Sequence, residues 1–313
     1  MELPQLNPPM NPGMPRNRSV PRLLRITALL AAATLTGGCI SVPLAIANAP
    51  AVFGKYTVQH DVAYGDGAAQ RLDIYRPADS AATHPLIVFM HGGGWTNGSK
   101  SQYRFVADSL TARGYVVVTV DYRLYPDGRF PGFVQDGARA VQWVHAHGSE
   151  FGGDTSRLYL MGHSAGAHIA AMLTFDERYL QAVGGERSWV KGFIGLAGPF
   201  DFLPLRDPVL ETIFGPPARY PESQPINFVD GGEPPALLLH GLADRTVWPR
   251  NSQHLAAKIR EHGGRVEEHY YEGASHGGIL AGLTVYFRNR RPVLEDVVGF
   301  VEVGSVSLRS TSP

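Results

Sequence analysis

Leu158-Tyr159-Leu160-Met161 runs directly into Gly162-His163-Ser164-Ala165-Gly166, and small apolar residues follow at helical spacing (Ala167, Ile169, Ala170, Ala171, Leu173). That order predicts a strand, a sharp turn and a helix, with Ser164 in the turn at the positive end of the helix. Glycine on each side is expected because any side chain in so tight a bend would meet the neighbouring strand and helix. A hydroxyl presented this way is suited to attack a carbonyl carbon. A second Gly-x-Ser-x-Gly, Gly273-Ala274-Ser275-His276-Gly277, competes with the first. On a strand-turn-helix scaffold the serine comes first, then the carboxylate, then the histidine. No histidine follows His276, so Ser275 has no downstream base and Ser164 is the candidate nucleophile.

The other groups such chemistry needs stand at the ends of apolar runs. His91-Gly92-Gly93-Gly94-Trp95 follows Leu86–Met90. Its glycines let backbone N–H groups turn toward a ligand. The N–H groups of Gly93, Gly94 and Ala165 are the candidate donors for a carbonyl oxygen that becomes negative, an oxyanion hole. No Gly-Lys-Ser/Thr follows, so the loop is not a phosphate cradle. The base must itself be held by a carboxylate. Asp244 lies past Leu237–Leu239, and His276 lies past Val266–Tyr271, in loops after adjacent strands. His240 is the rival base, but it precedes Asp244 and is too near it in sequence to face it across a cleft. His163 and His168 are expected to pack beside the turn. Asp201, Asp207 and Glu272 are the weaker alternatives to Asp244. Trp95 and the aromatics between Phe200 and Tyr220, Phe214 among them, are the candidate pocket lining.

Strand and helix signals alternate along the chain. Strands are predicted at Arg71–Tyr75, Leu86–Met90, Tyr115–Val120, Leu158–Met161, Gly192–Leu196, Pro235–Leu239 and Val266–Tyr271. Helical spacing marks Tyr103–Arg113, Phe133–His145 and Val293–Val301. Continuous apolar runs such as Leu86–Met90 indicate strands covered on both faces. The alternation predicts an α/β fold with a mostly parallel sheet, whose strand ends gather their loops on one edge. Residues 197–232, rich in Pro and Phe, interrupt the rhythm and are expected to form a lid or binding loop.

These residues resemble the α/β-hydrolase superfamily. His91 to Trp95, Gly162 to Gly166, the Asp244 loop and His276 are similar to the hormone-sensitive-lipase-like esterases and their feruloyl-esterase-like and kynurenine-formamidase-like relatives. Asp121-Tyr122-Arg123-Leu124, Tyr125-Pro126, Phe130-Pro131 and Asp136 add to the likeness. Many lipase-like members have aspartate where His163 stands here, as it does in the smaller formamidase and feruloyl-esterase-like group. The large helical cap of the lipase branch has no counterpart before the first strand, which favours small or extended substrates. The resemblance implies a serine esterase acting on small-molecule esters through Ser164, His276 and Asp244, with no metal or organic cofactor. Amide hydrolysis, as an arylformamidase or peptidase, is the alternative. A catalytically silent binding protein is the reading from a different class.

Length and composition suit one sizeable globular domain: 313 residues, 44% of them hydrophobic. Lys+Arg (28) balances Asp+Glu (28), so there is no basic field for nucleic acid. Arg16, Arg18, Arg22 and Arg25 precede the apolar run Ile26–Leu35, then Thr36-Gly37-Gly38-Cys39. A basic region, a short apolar run and small residues predict a secretory signal over 1–38, with Met10 or Met14 as the alternative start. The run is too short to span a bilayer. Cys39, the only cysteine, allows no internal disulfide, and Leu35–Cys39 resembles a bacterial lipoprotein box. The leucine stands four places before the cysteine rather than the usual three. The expected division is therefore a signal at 1–38, a tether at 39–55 starting with lipidated Cys39, a catalytic domain at 56–304 and a tail at 305–313. The expected location is the bacterial cell envelope, held to a membrane by the lipid, with a soluble periplasmic or secreted form as the alternative.

Overall fold

A computed structural model of the chain describes residues 42–78 and 83–309. Ser41–Pro313 form one compact unit. The predicted signal and Cys39 lie outside the described residues.

Eight strands form one sheet: β1 (Tyr56–Ala63), β2 (Arg71–Pro77), β3 (His84–Met90), β4 (Val116–Val120), β5 (Gly153–His163), β6 (Val190–Leu196), β7 (Ala236–Gly241) and β8 (Val266–Tyr271). Their order is β1-β2-β4-β3-β5-β6-β7-β8. β2 pairs antiparallel with β1 and with β4, and the remaining pairs are parallel. Side chains alternate between the faces. Leu86, Val88 and Met90 of β3 enter one core with Val118, Leu160, Phe133 and Ile169. Ile87 and Phe89 enter the other with Val117, Met161, Phe105 and Val297. This is why the central strands read as unbroken apolar runs.

Nine α-helices are described: α1 (Val42–Asn48), α2 (Arg104–Thr111), α3 (Gly132–His147), α4 (Ala165–Phe175), α5 (Arg178–Gln181), α6 (Pro208–Phe214), α7 (Arg250–Glu261), α8 (Gly278–Ala281) and α9 (Val293–Arg309). The sequence reading missed β1, α1, α7 and the short helices α5, α6 and α8, and it is corrected at three other places. From residue 42 the expected tether is folded. Asn48 donates to the Gln102 carbonyl at 2.8 Å and accepts from the Phe105 N–H at 2.9 Å, and Ala51 is buried. Those bonds tie this uncharged, apolar segment to the start of α2. The backbone of α9 continues to Arg309 where a tail from 305 was expected, because no proline interrupts it. The 197–232 insertion is no free lid. Phe200 and Asp201 donate their N–H groups to Asn251 Oδ1 on α7, and Phe202 donates to Gln224 Oε1. Phe130 donates to the Ile213 carbonyl at 3.0 Å.

Candidate active site

The parallel strands β3, β5, β7 and β8 deliver four loops to one edge of the sheet, and each carries one part of the site. Ser164 sits between β5 and α4 with φ 55° and ψ −122°, a left-handed conformation that a non-glycine residue adopts only where its surroundings impose it. The cause is close packing. A Cβ on Gly166 would lie 2.0 Å from the Met90 carbonyl oxygen, and one on Gly162 would lie 2.4 Å from Gly166. The helix therefore starts hard against β3 and β5, leaving Ser164 in the corner.

Ser164, His276 and Asp244 come together. Ser164 Oγ lies 2.8 Å from His276 Nε2, and His276 Nδ1 lies 2.7 Å from Asp244 Oδ2. A carboxylate only accepts, so Nδ1 carries the proton and Nε2 presents its lone pair to the serine hydroxyl. Asp244 Oδ1 accepts the N–H groups of Thr246 at 2.8 Å and Val247 at 3.0 Å. Burial opposes its charge, yet bonds to His240 and His276, the field of His276 and the Val247 N–H outweigh this and hold the carboxyl well below the usual range.

The rivals are placed elsewhere. His240 touches Asp244 after all: its Nε2 lies 3.3 Å from Asp244 Oδ2. That ring is fully buried, bonded to the Val247 carbonyl and the Ser252 hydroxyl, and it backs the carboxylate rather than serving Ser164. Asp201 pairs with His254, and Asp207 caps α6 through the Val209 N–H. Glu272 is exposed. Ser275 is exposed in a turn outside any strand-to-helix corner.

Gly93 (φ 134°) and Gly94 (φ 61°) hold the left-handed turn after β3, and Ala165 opens α4, where the first N–H groups have no partner within the helix. The segment after β4 braces this turn. Tyr122 donates its hydroxyl to the His91 carbonyl at 2.7 Å and stacks on the His91 ring at 4.4 Å. The Tyr125 N–H reaches the Trp95 carbonyl at 2.8 Å. Arg123 forks onto buried Asp136, which also accepts from Gln70. This gives the Asp121–Tyr125 and Asp136 part of the resemblance a physical reason: those residues support the glycine turn.

The candidate pocket lining is corrected. Trp95 is nearly buried, and Phe200 and Phe214 are fully so. Trp95 packs against Phe133, His168, Phe202 and Phe214 with centroids 4.8–6.2 Å apart. These aromatics close the core under the insertion. Phe202 alone of that group keeps partial exposure.

Two residues with a role at the site were not singled out. Tyr103 donates its hydroxyl to His163 Nδ1 at 3.3 Å, and His163 Nε2–H in turn donates to the His276 carbonyl at 3.2 Å. Burial, with His276 nearby, presses the His163 imidazole down to about 3, so it stays neutral and keeps this tautomer. Arg291 bonds the carbonyls of Gly278 and Gly273, on either side of His276. Neither contact has a signal in sequence: Tyr103, His163 and His276 lie 60 and 113 residues apart, and nothing in the turn-rich segment between Gly273 and Arg291 marks which carbonyls Arg291 meets. His163→Phe is expected to lower kcat roughly 10–100-fold at similar KM by loosening the His276 loop. His163→Gln, whose amide N–H can replace the donor, should recover much of the loss. Steady-state kinetics of both variants test this, and equal losses would deny the positioning role.

Sheet order, strand directions and the strand-turn-helix corner define an α/β-hydrolase fold. Within it the chain belongs to the BD-FAE family, whose profile matches residues 72–259. It is 30% identical over 246 residues to a probable isoprenylcysteine alpha-carbonyl methylesterase of Arabidopsis thaliana, covering 72% of this chain and 52% of that protein. Esterase LipC of Mycobacterium tuberculosis is 31% identical over 244 residues, 71% of this chain and 60% of that protein. Kynurenine formamidase of Salmo salar is 35% identical over 162 residues, 52% of this chain and 51% of that protein. The chain thus spans about half the length of several curated relatives it matches. Among solved structures, Thermogutta terrifontis esterase 2 superposes with TM-score 0.65 at 27% identity, covering 80% of this chain and 95% of that one. Esterase B of Lactobacillus rhamnosis shares the fold at TM-score 0.72 and 20% identity, over 92% of this chain and 96% of that one.

Proposed function

We propose that this protein hydrolyses small carboxylic esters through a Ser-His-Asp triad and an acyl-enzyme. The unbroken line from Ser164 through His276 to Asp244, at 2.8 and 2.7 Å, carries the reading. Ser164 Oγ bonds to the ester carbon while its proton passes to His276 Nε2, and Asp244 steadies the imidazolium. The N–H groups of Gly93, Gly94 and Ala165 hold the oxyanion. Collapse breaks the carbon–oxygen bond, and the alkoxide leaves with the proton from His276. Water, deprotonated by the same imidazole, then frees Ser164. No metal or cofactor takes part in these steps. The names of the relatives, an esterase and methylesterases among them, agree.

An amide reading is kept because one relative is named a kynurenine formamidase, and the same groups would serve an aryl formamide. Initial rates on p-nitrophenyl esters of increasing acyl length, beside aryl formamides, separate the two. Turnover highest on short acyl chains is the expected result. Activity on formamides alone would transfer the assignment, and inactivity on both classes would leave a binding role. Export and lipidation at Cys39 complete the proposal, on the Arg16–Cys39 pattern. Cys39→Ser is expected to abolish incorporation of labelled fatty acid into the protein in cells.

A further inference from the structure

Large apolar side chains crowd the surface at two places far apart in sequence. Ile46 (56% exposed), Val52 (65%) and Phe53 (85%) project from the N-terminal segment. Val285 (43%), Tyr286 (53%) and Phe287 (42%) are consecutive in the loop before α9. Both places border α2. Asn48 holds the Phe105 N–H, while the Ser109 hydroxyl donates to the Leu283 carbonyl at 2.5 Å. Phe105 and Ser109 are one helical turn apart, about 6 Å along the axis. Between them Asp108 stands beside Gly54 and in the field of Arg288. The N-terminal segment and the loop before α9 thus present six apolar residues beside one helix. Scattered exposed leucines are ordinary, but a gathering of this kind marks a contact surface.

Charge points to the occupant. Lys55, Arg288 and Arg290 are exposed beside these residues. The nearby acids are Asp108, Glu272 and Glu295, and Arg113 already pairs with Glu295. Aromatic and aliphatic side chains mixed with cations suit the boundary between acyl chains and anionic headgroups. Phe287 also shares a cleft with Tyr270, Tyr271, Glu272, Arg290 and Arg291, and Arg291 grips the His276 loop. The chain enters this region at Val42, shortly after the apolar run Ile26–Leu35. We propose that the exposed residues of 46–55 and 285–290 form a docking surface for an anionic lipid bilayer, which holds the site beside the membrane. This surface is separate from lipidation at Cys39 and from the hydrolytic reading.

Residues 41–313, which form their own compact unit and lack Cys39, allow the test. They are sedimented with vesicles of phosphatidylcholine alone or mixed equally with phosphatidylglycerol. Binding to the mixed vesicles that weakens with salt is expected. Phe53→Ser/Tyr286→Ser/Phe287→Ser should lower partitioning at least about tenfold. Arg288→Gln/Arg290→Gln should lower it several-fold on the mixed vesicles only. Thermal unfolding of each variant, unchanged from the parent, shows the fold intact without relying on enzyme activity. No binding by the parent, or equal binding by parent and variants, overturns the proposal. So does a dimer that the apolar variant dissociates while vesicles capture nothing, since a second copy would then cover the surface.

Discussion

Ser164→Ala is expected to lower kcat/KM on a short-chain ester by about 10⁴-fold or more while leaving the fold intact. The change removes the atom that forms the acyl bond. Ser275, the serine of the second Gly-x-Ser-x-Gly, is exposed and has no downstream base. The corner that holds Ser164 is built by Gly162, Gly166 and the Met90 carbonyl, none of which depends on the hydroxyl. Alanine therefore tests the chemistry alone. Retained activity in a cleanly purified variant would remove Ser164 from the reaction.

A loss of similar size, about 10⁴-fold in kcat, is expected for Asp244→Asn. An asparagine can turn its amide N–H toward His276 Nδ1. The imidazole would then carry its proton on Nε2, pointing at Ser164 and unable to accept from it. The present carboxylate prevents this, since it accepts from His276 Nδ1–H while Thr246 and Val247 fix its other oxygen. Kinetics at neutral pH check the size of the loss. A loss below about tenfold would mean that another group orients His276, and His240 would be no substitute because its ring backs Asp244.

Legibility in the sequence followed burial. The central strands are covered on both faces, so β3, β4 and β7 read as unbroken apolar runs and lie within two residues of their expected bounds, whereas β5 begins five residues before Leu158, in a polar stretch with no such run. β1 is an edge strand with a mostly exposed, polar sequence, Tyr-Thr-Val-Gln-His-Asp-Val-Ala, and gave no such signal. Helix α7 escaped because only Leu255, Ala256 and Ile259 of its buried face are apolar; Asn251 and Ser252 are buried for their bonds to the insertion and to His240. That Ser164, Asp244 and His276 meet was readable because each follows a strand that β-sheet topology brings to the same edge. The pocket was not. A count of aromatics between Phe200 and Tyr220 says nothing of which face they turn to, and Phe200 and Phe214 turn inward. The Tyr103–His163–His276 line depends on loops that meet only after folding.

Covalent trapping tests the central claim most directly. A serine-reactive fluorophosphonate, followed by peptide mass spectrometry, reports which hydroxyl the protein activates. The account predicts one adduct per chain, on Ser164, lost in Ser164→Ala and strongly slowed in His276→Ala. An adduct on Ser275 or another serine, or no adduct on a folded protein, would contradict it.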